Sequence, residues 1–317
     1  LAIAVPNGIQ AYALGFNLLF EKYVANNSDR VLAKIDIKNA HNAFCRNAAV
    51  HGILNTDTQH PELQLKKLAR CFHSTTHTKP DIYMRSNITE NGFKLLCKSE
   101  SGGGQGNALT GLAFALTINA ALKATTERFP NACIKAIHDD ITIDASPEEL
   151  FSENGILSFT MAQLAAAGCK ANPAKTKVLA SSQEARDLVP PEFEQPFIIT
   201  AEGEKVYGLD VVGTPIGGEE FVKVWINNKS SEICDTIVKT ASLIAPFDQA
   251  ALQAVIHHSL QTRHDYVVST NLPSVTAQLQ ADVDIAVATA YGYALTFNPI
   301  EDPQLQPVDT IDPSFTA

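Results

Sequence analysis

Apolar positions recur at helical spacing between Ile9 and Ala25, where Leu14, Leu18, Leu19 and Tyr23 share a stripe after an Asn7-Gly8 turn, and this predicts an amphipathic helix. Val31 to Ile37 is a short strand, VLAKIDI, with an acid near its end. Asn39–His51 and Glu62–Cys71 have helical composition, the second with Lys66, Lys67 and Arg70 on its surface. From Asp81 to Lys98 the pattern is strand, turn, strand, and Glu90-Asn91-Gly92 closes a hairpin. A glycine-rich turn, Ser101–Gly106, then leads into an apolar helix, Leu109–Leu122. Cys133–Ile137 and Ile141–Ile143 are strands flanking His138-Asp139-Asp140, a hairpin whose apex carries adjacent acids. Leu157–Ala167 is a helix ended by Gly168, Lys177–Ala180 a strand and Val206–Ile216 another. Beyond Gly218 the pattern is helical through Ala251–Leu260 and Ala277–Tyr293, with a loop at Pro273. The order is mixed helix and strand, then mostly helix, with a change near residue 218 and no internal repeat.

With 317 residues the chain can bury a sizeable core without disulfide staples. Its six cysteines stand far apart and form none of the CxxC pairs of a structural zinc site, so they are expected as reduced thiols. No apolar run reaches the roughly 20 residues of a membrane span, and Leu1 opens the chain without a basic, then apolar leader. An intracellular chain, nuclear or cytoplasmic and not secreted, is expected, with its start upstream of Leu1. The net charge of -10 disfavours a general nucleic-acid binder. Its distribution changes that picture: Arg30 to Glu100 holds 11 basic and 6 acidic residues, whereas Gln183 to Ala317 holds 6 and 19. A basic front suits phosphates, and an acidic back repels them.

Three acids stand where side chains can converge, Asp36 near a strand end and Asp139-Asp140 at the hairpin apex. Hard oxygen ligands so placed suit a pair of Mg²⁺ ions about 3.5 to 4 Å apart, which organises in-line attack on a phosphoryl group. Aspartate is also an ordinary turn residue and helix cap, and spacing alone leaves both explanations open. His73 and His77 have the spacing of metal ligands on a helix but lack the glutamate of HExxH, and His257-His258 are expected on different helix faces. No GxxxxGK[ST] phosphate loop and no GxSxG elbow occurs, which disfavours an ATPase or a serine hydrolase.

The runs KIDIKNAHNAF, SGGGQGNALTGLAFAL, AIHDDITI, GCKANPAKTKVL and VVGTPIG occur in the order of motifs A to E of reverse transcriptases, and the chain resembles in particular those of LINE-type, non-LTR retrotransposons. The likeness runs from Leu1 to about Gly217, and LIAPFDQAALQAVIHHSLQTRHDYVVSTNLP is similar to the helical segment that follows in those elements. The fold so implied is α+β: a polymerase right hand with a ferredoxin-like palm, partial fingers and a mostly helical thumb. Residues 1–30 would be a residual fingers segment, 31–218 the palm with a fingers-side insertion near 47–100, and 219–317 the helical thumb or connection.

The resemblance makes Asp36, Asp139 and Asp140 the metal ligands and catalytic acids, holding two Mg²⁺ or, alternatively, Mn²⁺. It sets Ile37, His41, Gln105 and Gly106 around the nucleotide, with His41 in the place of the aromatic that packs under the sugar and excludes a 2'-hydroxyl. Lys175 matches the motif D lysine, a proton donor to pyrophosphate, and Gly213 the motif E turn under the primer grip. Lys66, Lys67, Arg70 and Lys79 would meet template phosphates, although a solvated helix face explains them equally well. The implied partners are an RNA template, a DNA primer and dNTPs. Departures are Ile137 two positions before Asp139, Ala108 after Asn107, His41 itself, and the basic finger residues, which are replaced at Leu1-Ala2 or lie upstream. Two rivals follow: a catalytically inactive remnant that only binds nucleic acid or protein, and an RNA-templated RNA polymerase on the same palm. The carboxylates of Asp36 and Asp139 are expected about 3 to 6 Å apart, within one ion's reach.

Overall fold

The computed structural model describes residues 7–76, 81–85, 92–103 and 108–296. It is a mixture of helix and strand in two compact units, Lys22–Pro196 and residues 7–21 together with 197–296.

In the first unit the central strand is β1 (Val31–Lys38). It pairs antiparallel along one edge with β5 (Asp140–Ala145), which pairs in turn with β4 (Cys133–Ile137). Its other edge is shared by β7 (Lys177–Ala180) and the two-residue β6 (Lys170–Ala171). Strand alternation explains why β1 is central: Val31, Ala33, Ile35 and Ile37 enter the core, while Lys34, Asp36 and Lys38 take the opposite face. Helices α3 (Arg46–Gln59), α5 (Ala108–Arg128) and α7 (Ile156–Ala166) supply Ile53, Phe114 and Leu164 to that core. α4 (Lys66–Thr76) packs on α3 through Ala69 and Phe72.

The expected helix over Asn39–His51 is two helices. Asn39 takes φ 53, α2 (Ala40–Ala43) is one turn long, and Phe44 is extended before α3 begins. That break seats the Phe44 ring in the core at 0% exposure. The two strands of the Asp81–Lys98 pattern pair antiparallel as expected, β2 (Asp81–Arg85) with β3 (Phe93–Lys98), exposed along both, while Glu90 and Asn91 of the expected turn lie outside the described residues. Short α6 (Pro147–Phe151) and α8 (Gln183–Asp187) complete this unit, each capped by a serine, Ser146 and Ser182, whose hydroxyl accepts a backbone N–H.

In the second unit the expected Val206–Ile216 strand is a hairpin of β9 (Lys205–Val211) and β10 (Thr214–Gly217), joined by β8 (Phe197–Ile199) in a three-stranded sheet. α9 (Glu219–Ile244) and α12 (Pro273–Thr296) run along each other with α10 (Gln249–Val255) and α11 (Asp265–Thr270) beside them. Ile226, Ile233, Ile237 and Ala241 of α9 meet Leu279, Val283, Ala286 and Ala290 of α12, two stripes at helical spacing. The compositional change near residue 218 marks where this unit turns helical. α1 (Gly8–Ala25) covers the first expected helix, but it buries Ala13, Phe16 and Phe20 rather than the expected stripe, whose Leu18 is exposed. Among the described residues no helix is long and apolar enough to cross a membrane.

Candidate active site

The polar face of the β1 sheet ends in a cleft of about 550 Å³. Asp36 reaches it from the end of β1, Asp139 from the β4–β5 turn, and Asn172 and Lys175 from the segment between β6 and β7. Two pairings of β1 explain the convergence. Asp36 stands in register with Asp140, so the acidic hairpin apex cannot lie elsewhere than beside the end of β1. On the opposite edge the chain pairs as β6, leaves the sheet for the short turn Pro173–Lys175, and pairs again as β7. The Asn172 N–H donates to the Asp36 carbonyl at 2.9 Å, and the Lys175 ammonium comes to 3.8 Å from the Asp36 carboxylate.

The three acids are not equivalent. Asp36 and Asp139 line the cleft, whereas Asp140 is held by the Lys34 ammonium at 3.3 Å. Burial raises the Asp140 pKa, Lys34 opposes the rise, and the charges of Asp139 and Asp36 add to it. Among the described residues no group of three or more His, Cys, Asp or Glu stands together as a ready metal cage. Two carboxylates on an open polar cleft nonetheless offer the hard oxygen donors that Mg²⁺ takes, since Mg²⁺ binds one or two protein carboxylates and completes its shell with water and phosphate oxygens.

Ile37 and His41 also line the cleft. The Ile37 side chain lies in the core at 2% exposure, so only its backbone can face a ligand. The His41 ring packs edge-on against Phe114 and against His138, at 5.4 and 5.7 Å between centroids. Gln105 and Gly106 lie outside the described residues, as do Lys79 and His77. Lys66, Lys67 and Arg70 are exposed on α4 and do not line the cleft. Gly213 belongs to the second unit, in the β9–β10 turn, where it takes φ 80.

Arg46 is the residue that reading the sequence misses. Its Nε donates to Gly102 O at 2.7 Å, Nη1 to Thr76 O and Ser99 O at 2.8 and 2.7 Å, and Nη2 to Ser99 Oγ and Ser101 O at 2.6 and 3.1 Å. The backbone of Gly102 and Gly103 donates in turn to Phe44 O and His41 O at 2.8 and 2.9 Å. The Gly102-Gly103 segment is thereby strapped to the turn that carries His41. A second such cluster is Asp144, 1% exposed at its side chain, which accepts from Arg30 through both carboxylate oxygens and from Tyr23 Oη at 2.7 Å. Burial and the Asp144 carboxylate push the Tyr23 phenol up to about 12.

No family model matches the chain. The retrotransposable element SLACS 132 kDa protein of Trypanosoma brucei gambiense is 32% identical to it over 151 residues, 47% of this chain and 12% of that protein. Among solved structures, telomerase from Candida tropicalis in complex with a TWJ fragment of telomeric RNA aligns over 90% of this chain and 51% of its own, at 11% identity and a TM-score of 0.41. The apo telomerase of the same organism aligns over 91% and 51%, at 12% identity and 0.43. The chain is thus similar over nearly half its length to a retrotransposable element protein, as its ordered motifs lead one to expect of a chain resembling a retrotransposon reverse transcriptase.

Proposed function

We propose that the chain performs RNA-templated DNA synthesis, transferring a nucleotide from a dNTP to a primer 3'-OH. The observation that carries this reading is the meeting of Asp36 and Asp139 in one polar cleft with Lys175, each from the motif that the resemblance assigns to that role. In this reading the Lys22–Pro196 unit holds the palm, and α9 to α12 form the thumb.

Asp36 and Asp139 would hold the cations at the end of β1, and Lys34 keeps Asp140 beside them. Bound there, Mg²⁺ or Mn²⁺ would supply Lewis acidity toward the primer hydroxyl and the phosphoryl oxygens. The remaining work falls to the protein. The backbone at Ile37 orients the triphosphate, and the His41 ring forms a floor under the sugar. Lys175, 68% exposed at its side chain, is free to swing from Asp36 to the departing pyrophosphate and protonate it. Two carboxylates lining one cleft would repel a triphosphate unless cations stood between them.

The test is primer extension by the purified chain on an RNA template with a DNA primer, dNTPs and Mg²⁺. Asp139→Asn keeps the side-chain shape and loses the charge, so extension should fall by at least about a thousandfold while the thermal melt is preserved. Absence of product from the well-folded chain in both Mg²⁺ and Mn²⁺ would leave the inactive remnant as the better account. Equal use of rNTPs would favour the RNA polymerase instead.

A further inference from the structure

We infer that His138 is a positioning residue: its ring fixes the His41 ring in the cleft, and so sets how strongly the site discriminates against a ribose 2'-hydroxyl. This rests on the proposed polymerase reading, in which His41 lies under the sugar.

His138 is the first residue of the two-residue turn between β4 and β5, and its φ is 52. Hairpin turns with positive φ favour Gly, Asn or Asp, because a Cβ crowds the neighbouring carbonyl there. Histidine is, with Asn and Asp, among the side chains that tolerate this region, so the backbone admits it and the contacts of its ring are what set it apart from the other two. That side chain meets the edge of His41 at 5.7 Å between centroids, with ring planes 68° apart. Phe114 contacts the His41 ring at 5.4 Å, so His41 is packed by an α5 residue and a hairpin residue. On α5 the neighbour of His138 is Gly111, where an added Cβ would stand 3.4 Å from His138 Cε1. The imidazole thus packs directly over the α5 backbone at Gly111, where a methyl group would just touch it.

Hydrogen bonding does not explain the arrangement. The Nδ1 atoms of both His41 and His138 are buried without a partner among the described residues. Ring contact is what orients His41 on this side, and edge-to-face geometry is the favourable one for such pairs. The turn that presents Asp139 to the cleft also seats the adjacent His138, so metal-ligand placement and sugar discrimination share one backbone segment.

The experiment compares His138→Asn, which accepts the positive φ and removes the ring, with His138→Phe, which keeps a ring. The readout is the ratio of kcat/KM for dNTP over rNTP in primer extension, taken within each variant. His138→Asn should lower the ratio roughly two- to tenfold, the range that one aromatic contact supports. His138→Phe should retain it. His41→Ala should lower the ratio at least as far, and adding His138→Asn to His41→Ala should change it no further, because the two residues act through one contact. A ratio unmoved by His138→Asn overturns the inference while leaving the polymerase reading intact. If the wild-type chain extends no primer, that reading is lost and the contact is judged separately, by nuclear Overhauser effects between His41 and Phe114. Loss of these in His138→Asn but not in His138→Phe supports positioning, and their persistence in both overturns it.

Discussion

The guanidinium of Arg46 has five N–H bonds, and all five are donated, four to backbone carbonyls and one to the Ser99 hydroxyl. A planar fork of this kind cannot be reproduced by an ammonium. Arg46→Ala should therefore cost about 2 to 4 kcal/mol in urea unfolding, and Arg46→Lys should recover little of it. Recovery of most of the loss by lysine would mean that charge, not geometry, holds the strap. The partly buried Tyr23–Arg30–Asp144 cluster makes a pH prediction. The folded phenol, at about 12, lies above the ordinary 10, so the stability it confers is complete below about pH 10 and is lost as pH rises through 12. Over that window Tyr23→Phe should flatten the fall in unfolding free energy relative to the wild type. Residue by residue, legibility follows sequence distance. Asp36, Asp139 and Lys175 are readable because a strand end, a two-residue turn and a short proline turn are local patterns. Arg46 is not, because its partners at Thr76, Ser99 and Gly102 stand 30, 53 and 56 positions away.

Elements differ in how far their own composition determines them. β1 is legible as a strand because its two faces alternate, and its register with β5 then follows from where each strand places its acid. The Asn39–His51 segment is misread as one helix because what breaks it is tertiary: an extended Phe44 buries its ring and turns its carbonyl to the Gly102 N–H. Gly102 has φ 59, and a Cβ there would come within 2.4 Å of the Asn42 backbone. Gly102→Ala should thus destabilise the fold by about 2 to 4 kcal/mol, from backbone strain and displacement of the 41–44 turn together. The β9–β10 turn predicts the opposite sign. Val212 holds φ 50, a costly conformation for a β-branched side chain, with its carbonyl accepting from Tyr266 Oη at 2.7 Å. Val212→Asn relieves that crowding and should stabilise by about 1 kcal/mol, seen as a higher melting temperature. A lower melting temperature would show that Val212 packing outweighs the strain.

At the scale of the whole molecule, the order of mixed helix and strand followed by helix is legible from periodicity. The pairing of β6 and β7 with one edge of β1 is not, since a two-residue strand has no period of its own. Charge, by contrast, can be read directly from the sequence, and it carries the last prediction. Arg30 to Glu100 has a net +5 and Gln183 to Ala317 a net -13, so nucleic acid drawn to the chain is drawn to the front. Arg46 cannot contribute hydrogen bonds to phosphates, because its donors are already engaged. Lys66, Lys67 and Arg70 can, being exposed on α4, a helix whose apolar side is taken up by Ala69 and Phe72. Phosphate contacts release counterions, and each removed contact lowers the slope of log affinity against log salt by about 0.7 to 0.9. Replacing the three cations with glutamine should therefore weaken binding of an RNA–DNA primer-template at low salt and flatten that slope by about two to three, with no change in melting temperature. Filter binding across a salt series measures both quantities. A slope equal to that of the wild type would remove α4 from the path of the template and shift the search to the basic residues of the β2–β3 hairpin, Arg85, Lys94 and Lys98, which are also exposed.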